Sequence, residues 1–163
     1  MPRLATGPEA SLDPARLDRV AHATERAAPL GLPAGFLQVG LSSRREVGAW
    51  SWGDGRIQVS RALADLLDDD ELAAAVAHEL GHLLAGGELP GYPAALAGAG
   101  ESPEPEERAD RLGCSLLAAR GIDPTAMVRM LRKIDRTYAG GRDTRGPFAD
   151  RADRAVAVCV AAG

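Results

Sequence analysis

The stretch AVAHELGHLLAGG, residues 75–87, holds two of the three histidines in this 163-residue chain, four positions apart, with Glu79 directly after the first. Residues four apart on an α-helix differ by about 40° around the axis and stand one turn above each other, so His78 and His82 can aim two imidazoles at one metal ion. Glu79 lies about 100° from His78, near enough to reach a water held there without competing as a ligand. Val76, Leu80, Leu83 and Leu84 fall on the opposite side and anchor the helix in a core. Upstream, Asp68 followed by Glu71 has the spacing of a capping box; downstream, Gly86 and Gly87 stop the helix. Gly81 inside it costs about 1 kcal/mol relative to Ala. Close approach of a second backbone is the expected reason for it.

A chain of this length forms one domain with a real core, 1–163, with residues 1–11 as a flexible lead. Hydrophobic residues make up 45% and charged residues 26%, a globular balance; aromatics at 4% leave the core to Leu, Val and Ala. A net charge of −4 gives no electrostatic reason to expect nucleic acid as a partner. No apolar run approaches the roughly 20 residues a membrane span needs, and the N-terminus lacks the pattern of a secretory signal. Two cysteines, Cys114 and Cys159, suggest no paired framework, so a reducing cytoplasm is the expected compartment.

The remaining signals describe an α+β chain. Asp13 and Pro14 open a helix over 12–28, with Leu17, Val20, Ala21 and Ala28 on one face and His22 among charged neighbours. Three short strands follow at 36–43, 47–52 and 56–60, and GDG at 53–55 joins the last two as a hairpin. Trp50 and Trp52 point to one side of their strand, where they line a cleft or pack beneath the sheet. Helices are expected from Ser102 and Pro103 to Gly121, and over 123–138 from Asp123 and Pro124. In the tail, Val156, Cys159 and Val160 at i, i+3 and i+4 predict a final helix with Cys159 as an inert core thiol. The competing reading makes VAVCV a strand that pairs with the RIQVS edge and brings Cys159 to a metal.

A catalytic zinc needs a third protein ligand and one open position. Taking it six residues after His82, with a glycine at the third, fails because those places hold Glu88 and Ala85. His22 is remote. Glu106 and Asp110 in EERAD are four apart and share a helix face that can close over the histidines. Glu106 is then the oxygen ligand, and Asp110 orients a ligand histidine through its other ring nitrogen. A charged, solvated helix start reads the same residues equally well.

RIQVSRALADLLDDDELAAAVAHELGHLL, followed by EERADRLG and GIDP, resembles the gluzincin group that includes the HtpX heat-shock proteases and the CAAX prenyl proteases. The resemblance covers roughly 35–151, and without membrane segments the chain looks like the minimal minigluzincin branch. It implies a zincin-like α+β fold: a small mixed sheet of about three strands, its edge strand over the active-site helix, and a mainly helical remainder. It further implies a zinc-dependent endopeptidase with one Zn2+ per chain held by His78, His82 and Glu106, and Glu79 activating the zinc-bound water. Asp110 supports the ligands. RIQVS then serves as the edge strand that holds a peptide or unfolded-protein substrate. Where this group often carries His-Pro near the end of the domain, the chain has TRGPFADR, with Arg145 in place of the histidine. Arg145 is thereby a candidate oxyanion contact, with Tyr138 as its rival. A latent or non-catalytic zinc-binding domain, or a regulator-cleaving peptidase of the ImmA type, is the alternative.

Overall fold

Asp13 accepts a hydrogen bond from the Arg16 amide and Pro14 takes the first helical position, so α1 runs Pro14–Ala27, with Leu17, Val20, Ala23 and Ala27 buried. The computed structural model describes residues 3–4, 13–92, 104–140 and 146–163. Strands β2 (Gln38–Ser42), β3 (Ala49–Ser51) and β4 (Arg56–Ser60) lie where the alternation predicts them. Gly55 closes the β3–β4 hairpin at φ 88°. Arg3–Leu4, within the expected flexible lead, forms a short strand β1 parallel to β2. The mixed sheet has the order β1-β2-β4-β3.

That order corrects one expectation. RIQVS is not the edge: β4 pairs with β2 on one side and with β3 on the other. The hairpin folds outward, and β3 becomes the open edge. Register places Ala49, Ser51, Ile57, Val59, Val39 and Leu41 on the inner face. Trp50 sits opposite Gln58 on the outer face, and an arginine stacks on each tryptophan, Arg44 on Trp50 and Arg56 on Trp52. Neither tryptophan packs in the core, although Trp50 still borders the cavity described below.

After the short α2 (Arg61–Leu66), capped by Ser60, comes α3 (Asp69–Gly86). Asp68 and Glu71 complete the capping box, and Gly87 ends the helix in the left-handed region at φ 70°. From Glu71 to Leu84 every residue of α3 is buried except His78 and His82, so its apolar surface wraps most of the circumference rather than the back alone. Helix α1 packs on α3, and the sheet meets both.

Helix α4 (Pro105–Ala119) lies along α3 and ends at Gly121, φ 70°. The expected start at Ser102 and Pro103 lies outside the described residues. Helix α5 (Ala126–Tyr138) begins two residues after Pro124, because the Asp123 carboxylate accepts from the Thr125 amide and hydroxyl and shapes a turn first. The tail is a helix, α6 (Ala149–Ala162), but its buried stripe is Ala152, Ala155 and Cys159, with Val156 and Val160 exposed. Cys159 is not a free thiol: it forms a disulfide with Cys114 of α4. The pairing removes the cysteine argument for a reducing compartment, since disulfides persist where the surroundings are oxidising. Among the described residues no helix is long and apolar enough to cross a membrane.

Candidate metal centre

The site starts with a close helix–helix approach. A Cβ added at Gly81 would stand 2.4 Å from the Ala109 carbonyl oxygen, and one added at Gly113 would stand 3.2 Å from the Ala77 backbone. Glycine at both positions lets α4 settle directly on α3, so Glu106 and Asp110 overhang the two histidines. The cost of Gly81 in helix propensity is offset by this contact.

His78 and His82 turn their Nε2 atoms toward each other at 3.1 Å. The two Glu106 carboxylate oxygens lie 3.3 Å from them, Oε2 at His78 and Oε1 at His82. One ligand atom from each residue falls within a 4.8 Å cluster. Tetrahedral zinc with bonds of about 2.0–2.1 Å separates its ligands by about 3.3 Å, so this nitrogen, nitrogen, oxygen set fits zinc in both spacing and donor type. The Asp110 carboxylate meets His78 Nδ1 at 2.8 Å, which leaves Nε2 as the nitrogen with a free lone pair.

Arg151 of α6 completes the cluster. Its Nε donates to Asp110 Oδ2 at 3.0 Å and its Nη2 to Oδ1 at 2.8 Å, while Nη1 pairs with Glu106 Oε2 at 2.9 Å. One fork therefore steadies both carboxylates of α4. Asp135 of α5 seats the start of α6 by accepting from the amides of Gly146 and Phe148 at 3.1 and 2.8 Å. The sequence signal for Arg151 was present, since two clustered carboxylates call for a fixed cation, but several arginines competed for that role.

The electrostatics show how strongly the cluster demands positive charge. Burial pulls the His78 pKa down, yet hydrogen bonds to Asp110 and Glu106 more than reverse that and leave it at about 9. His78 and His82 hold the Glu106 carboxyl well below the usual carboxylate range. For Asp110, burial pushes the pKa up, but the hydrogen bonds with His78 and Arg151 bring it below the ordinary value.

Glu79 is 7% exposed and borders, with His78, His82 and Glu106, a cavity of about 500 Å³. Ala49 and Ser51 of β3 form part of the wall. Gly48 and Trp52 hydrogen-bond to β4, so by antiparallel alternation the backbone groups of Ala49 and Ser51 point to the open edge. Tyr138, the rival oxyanion contact, is half exposed and donates from its hydroxyl to the Val47 carbonyl at 3.2 Å rather than lining the cavity. Arg145 lies outside the described residues. Glu88 borders the same cavity without joining the His78, His82 and Glu106 cluster.

Residues 11–89 match the family model of peptidase family M48. That match supports a zinc metallopeptidase family. It spans α1, the β2–β4 sheet and α3 with both histidines, and stops before α4, so Glu106 and Asp110 rest on the geometry above. No curated protein matches the chain.

Proposed function

We propose that this protein is a zinc-dependent endopeptidase that takes peptide or unfolded-protein substrates as an extended strand along β3. The observation that carries the reading is the convergence of His78, His82 and Glu106 beside Glu79 in one cavity walled by an open strand edge. The HtpX and CAAX-protease resemblance, in its small minigluzincin form, is supported by the M48 match and by the Glu106–Asp110 helix packed over the histidines.

His78, His82 and Glu106 would hold zinc, which would supply Lewis acidity toward a carbonyl and lower the pKa of water toward about 7. Glu79 accepts the proton of the attacking water at a carboxylate oxygen and returns it to the leaving amide nitrogen. Asp110 keeps His78 in the tautomer and orientation that present Nε2. Arg151 holds Glu106 and Asp110 against mutual repulsion. The outward backbone groups of Ala49 and Ser51 bind the substrate main chain, which makes backbone recognition the common element across sequences. Arg145 is the proposed oxyanion contact.

Metal analysis of the purified chain, run beside cleavage of a denatured-protein panel, tests the reading. One zinc per chain and cleavage by the wild type are expected. Glu79→Gln should retain zinc and fold while the rate drops by about 10²–10⁴. A zinc-loaded wild type that cleaves nothing would leave a non-catalytic binding domain; normal cleavage by Glu79→Gln would remove Glu79 as the base.

A further inference from the structure

The inner face of β2, β3 and β4 is apolar with one exception. Val39, Leu41, Ile57, Val59 and Ala49 share it with Ser51, whose register partner is the fully buried Ile57. Ser51 is half-buried and lines the cavity, and its hydroxyl turns to the base beside it rather than to the open space. Ser51 Oγ lies 2.7 Å from Glu79 Oε2 and 3.4 Å from the Glu79 carbonyl oxygen. A serine hydroxyl has a single proton, and the carboxylate oxygen is the nearer and more strongly charged acceptor. The hydrogen bond therefore runs from Ser51 to Oε2.

We propose that Ser51 is the positioning residue for Glu79: its hydroxyl fixes the carboxylate through Oε2 and leaves Oε1 as the oxygen that takes and returns the proton. The inference deepens the peptidase reading and rests on it for the catalytic consequence. A glutamate has three side-chain torsions, and burial alone does not select the orientation in which one oxygen faces the cavity. The hydroxyl supplies that selection at a cost of little volume.

The position of Ser51 also ties the base to substrate binding. The same residue turns its side chain inward to Glu79 and its backbone groups outward to the open edge. A peptide paired along β3 is thus bonded to the strand that orients the base. An alanine at 51 would keep the backbone and the apolar packing and lose only the orienting bond. A threonine would restore the hydroxyl in a residue well suited to a strand.

The test compares Ser51→Ala and Ser51→Thr with the wild type in the zinc-loaded, full-length protein. The first readout is the 13C resonance of the Glu79 carboxylate, assigned by its disappearance in Glu79→Gln. It should move in Ser51→Ala and return toward the wild-type position in Ser51→Thr. The second is steady-state cleavage of a denatured-protein substrate. Ser51→Ala should lower kcat roughly 10-fold, the worth of one hydrogen bond to a charged group, with KM unchanged and with zinc content and melting temperature retained. Ser51→Thr should recover most of the rate. A Glu79 resonance that stays put in Ser51→Ala overturns the proposal, as does an unchanged kcat in an active enzyme. A resonance that shifts in a zinc-loaded protein that cleaves nothing upholds the Ser51–Glu79 link and removes the peptidase reading instead.

Discussion

Gly81 lies so close to Ala109 that a methyl group on it would reach within 2.4 Å of the Ala109 carbonyl oxygen. The obstacle is backbone, not the end of a flexible side chain, so Gly81→Ala must push α4 away from α3. Helix propensity favours the alanine by about 1 kcal/mol, whereas overpacking of this kind costs about 1–3 kcal/mol. A small net loss of stability is expected together with a large loss of zinc affinity, because Glu106 rides on the displaced helix. Thermal unfolding and zinc titration measure the two effects; full zinc affinity in Gly81→Ala would show that the helix contact does not set the site.

Glu106 and Glu88 both border the cavity, but only Glu106 stands 3.3 Å from the histidine nitrogens. Glu106→Ala should weaken zinc binding sharply, and Glu88→Ala should leave it intact. The reverse pattern in metal analysis after dialysis would transfer the ligand role to Glu88.

Asp110 and Glu106 share one guanidinium. Replacing Arg151 with Met keeps much of its apolar stem and leaves the nearly buried Asp110 without its fork. A buried charge left with no partner costs about 3–5 kcal/mol; Asp110 keeps His78 at 2.8 Å, so the loss falls below that range, and the half-exposed Glu106 adds little because solvent screens it. Zinc at the neighbouring histidines restores part of the missing positive charge. The destabilisation should therefore be larger in chelator-treated protein than in the zinc-loaded form, as read by urea unfolding. Equal losses in both forms would mean that Arg151 acts only as a brace between α4 and α6.

The Cys114–Cys159 bond closes a loop of 45 residues that contains the end of α4, all of α5 and most of α6. Chain entropy assigns such a cross-link about 4 kcal/mol. The Cys114→Ala, Cys159→Ala double variant should unfold at lower urea concentration than the oxidised wild type, with the reduced wild type close to the variant. Identical midpoints for oxidised and reduced protein would show that the bond adds nothing to stability.

Local signals were sufficient for most of the elements and for half of the site. Asp13 with Pro14 and Asp68 with Glu71 start their helices, and Gly87 ends one, through hydrogen bonds and torsions that span four residues or fewer, so they are readable without a fold. The His78, Glu79 and His82 geometry is likewise internal to one helix. Gly81 announced a close neighbour, although not its identity.

What tertiary structure decided is everything that depends on which elements meet. From the residues alone Glu106 and Asp110 read equally well as ligands or as a solvated helix start; the packing of α4 on α3 through Gly81 and Gly113 brings them to the histidines. Strand order made β3 the edge in place of β4, because a hairpin can fold to either side of its neighbour and nothing within RIQVS states which. Arg151, Ser51 and the Cys114–Cys159 pair each act across more than 25 residues of sequence. Such contacts are set by the burial of the whole core and leave no periodicity in the chain. The helix that offers two histidines to a metal was therefore legible in the sequence, and the carboxylate that meets them, the cation beside it and the strand above it were decided by packing.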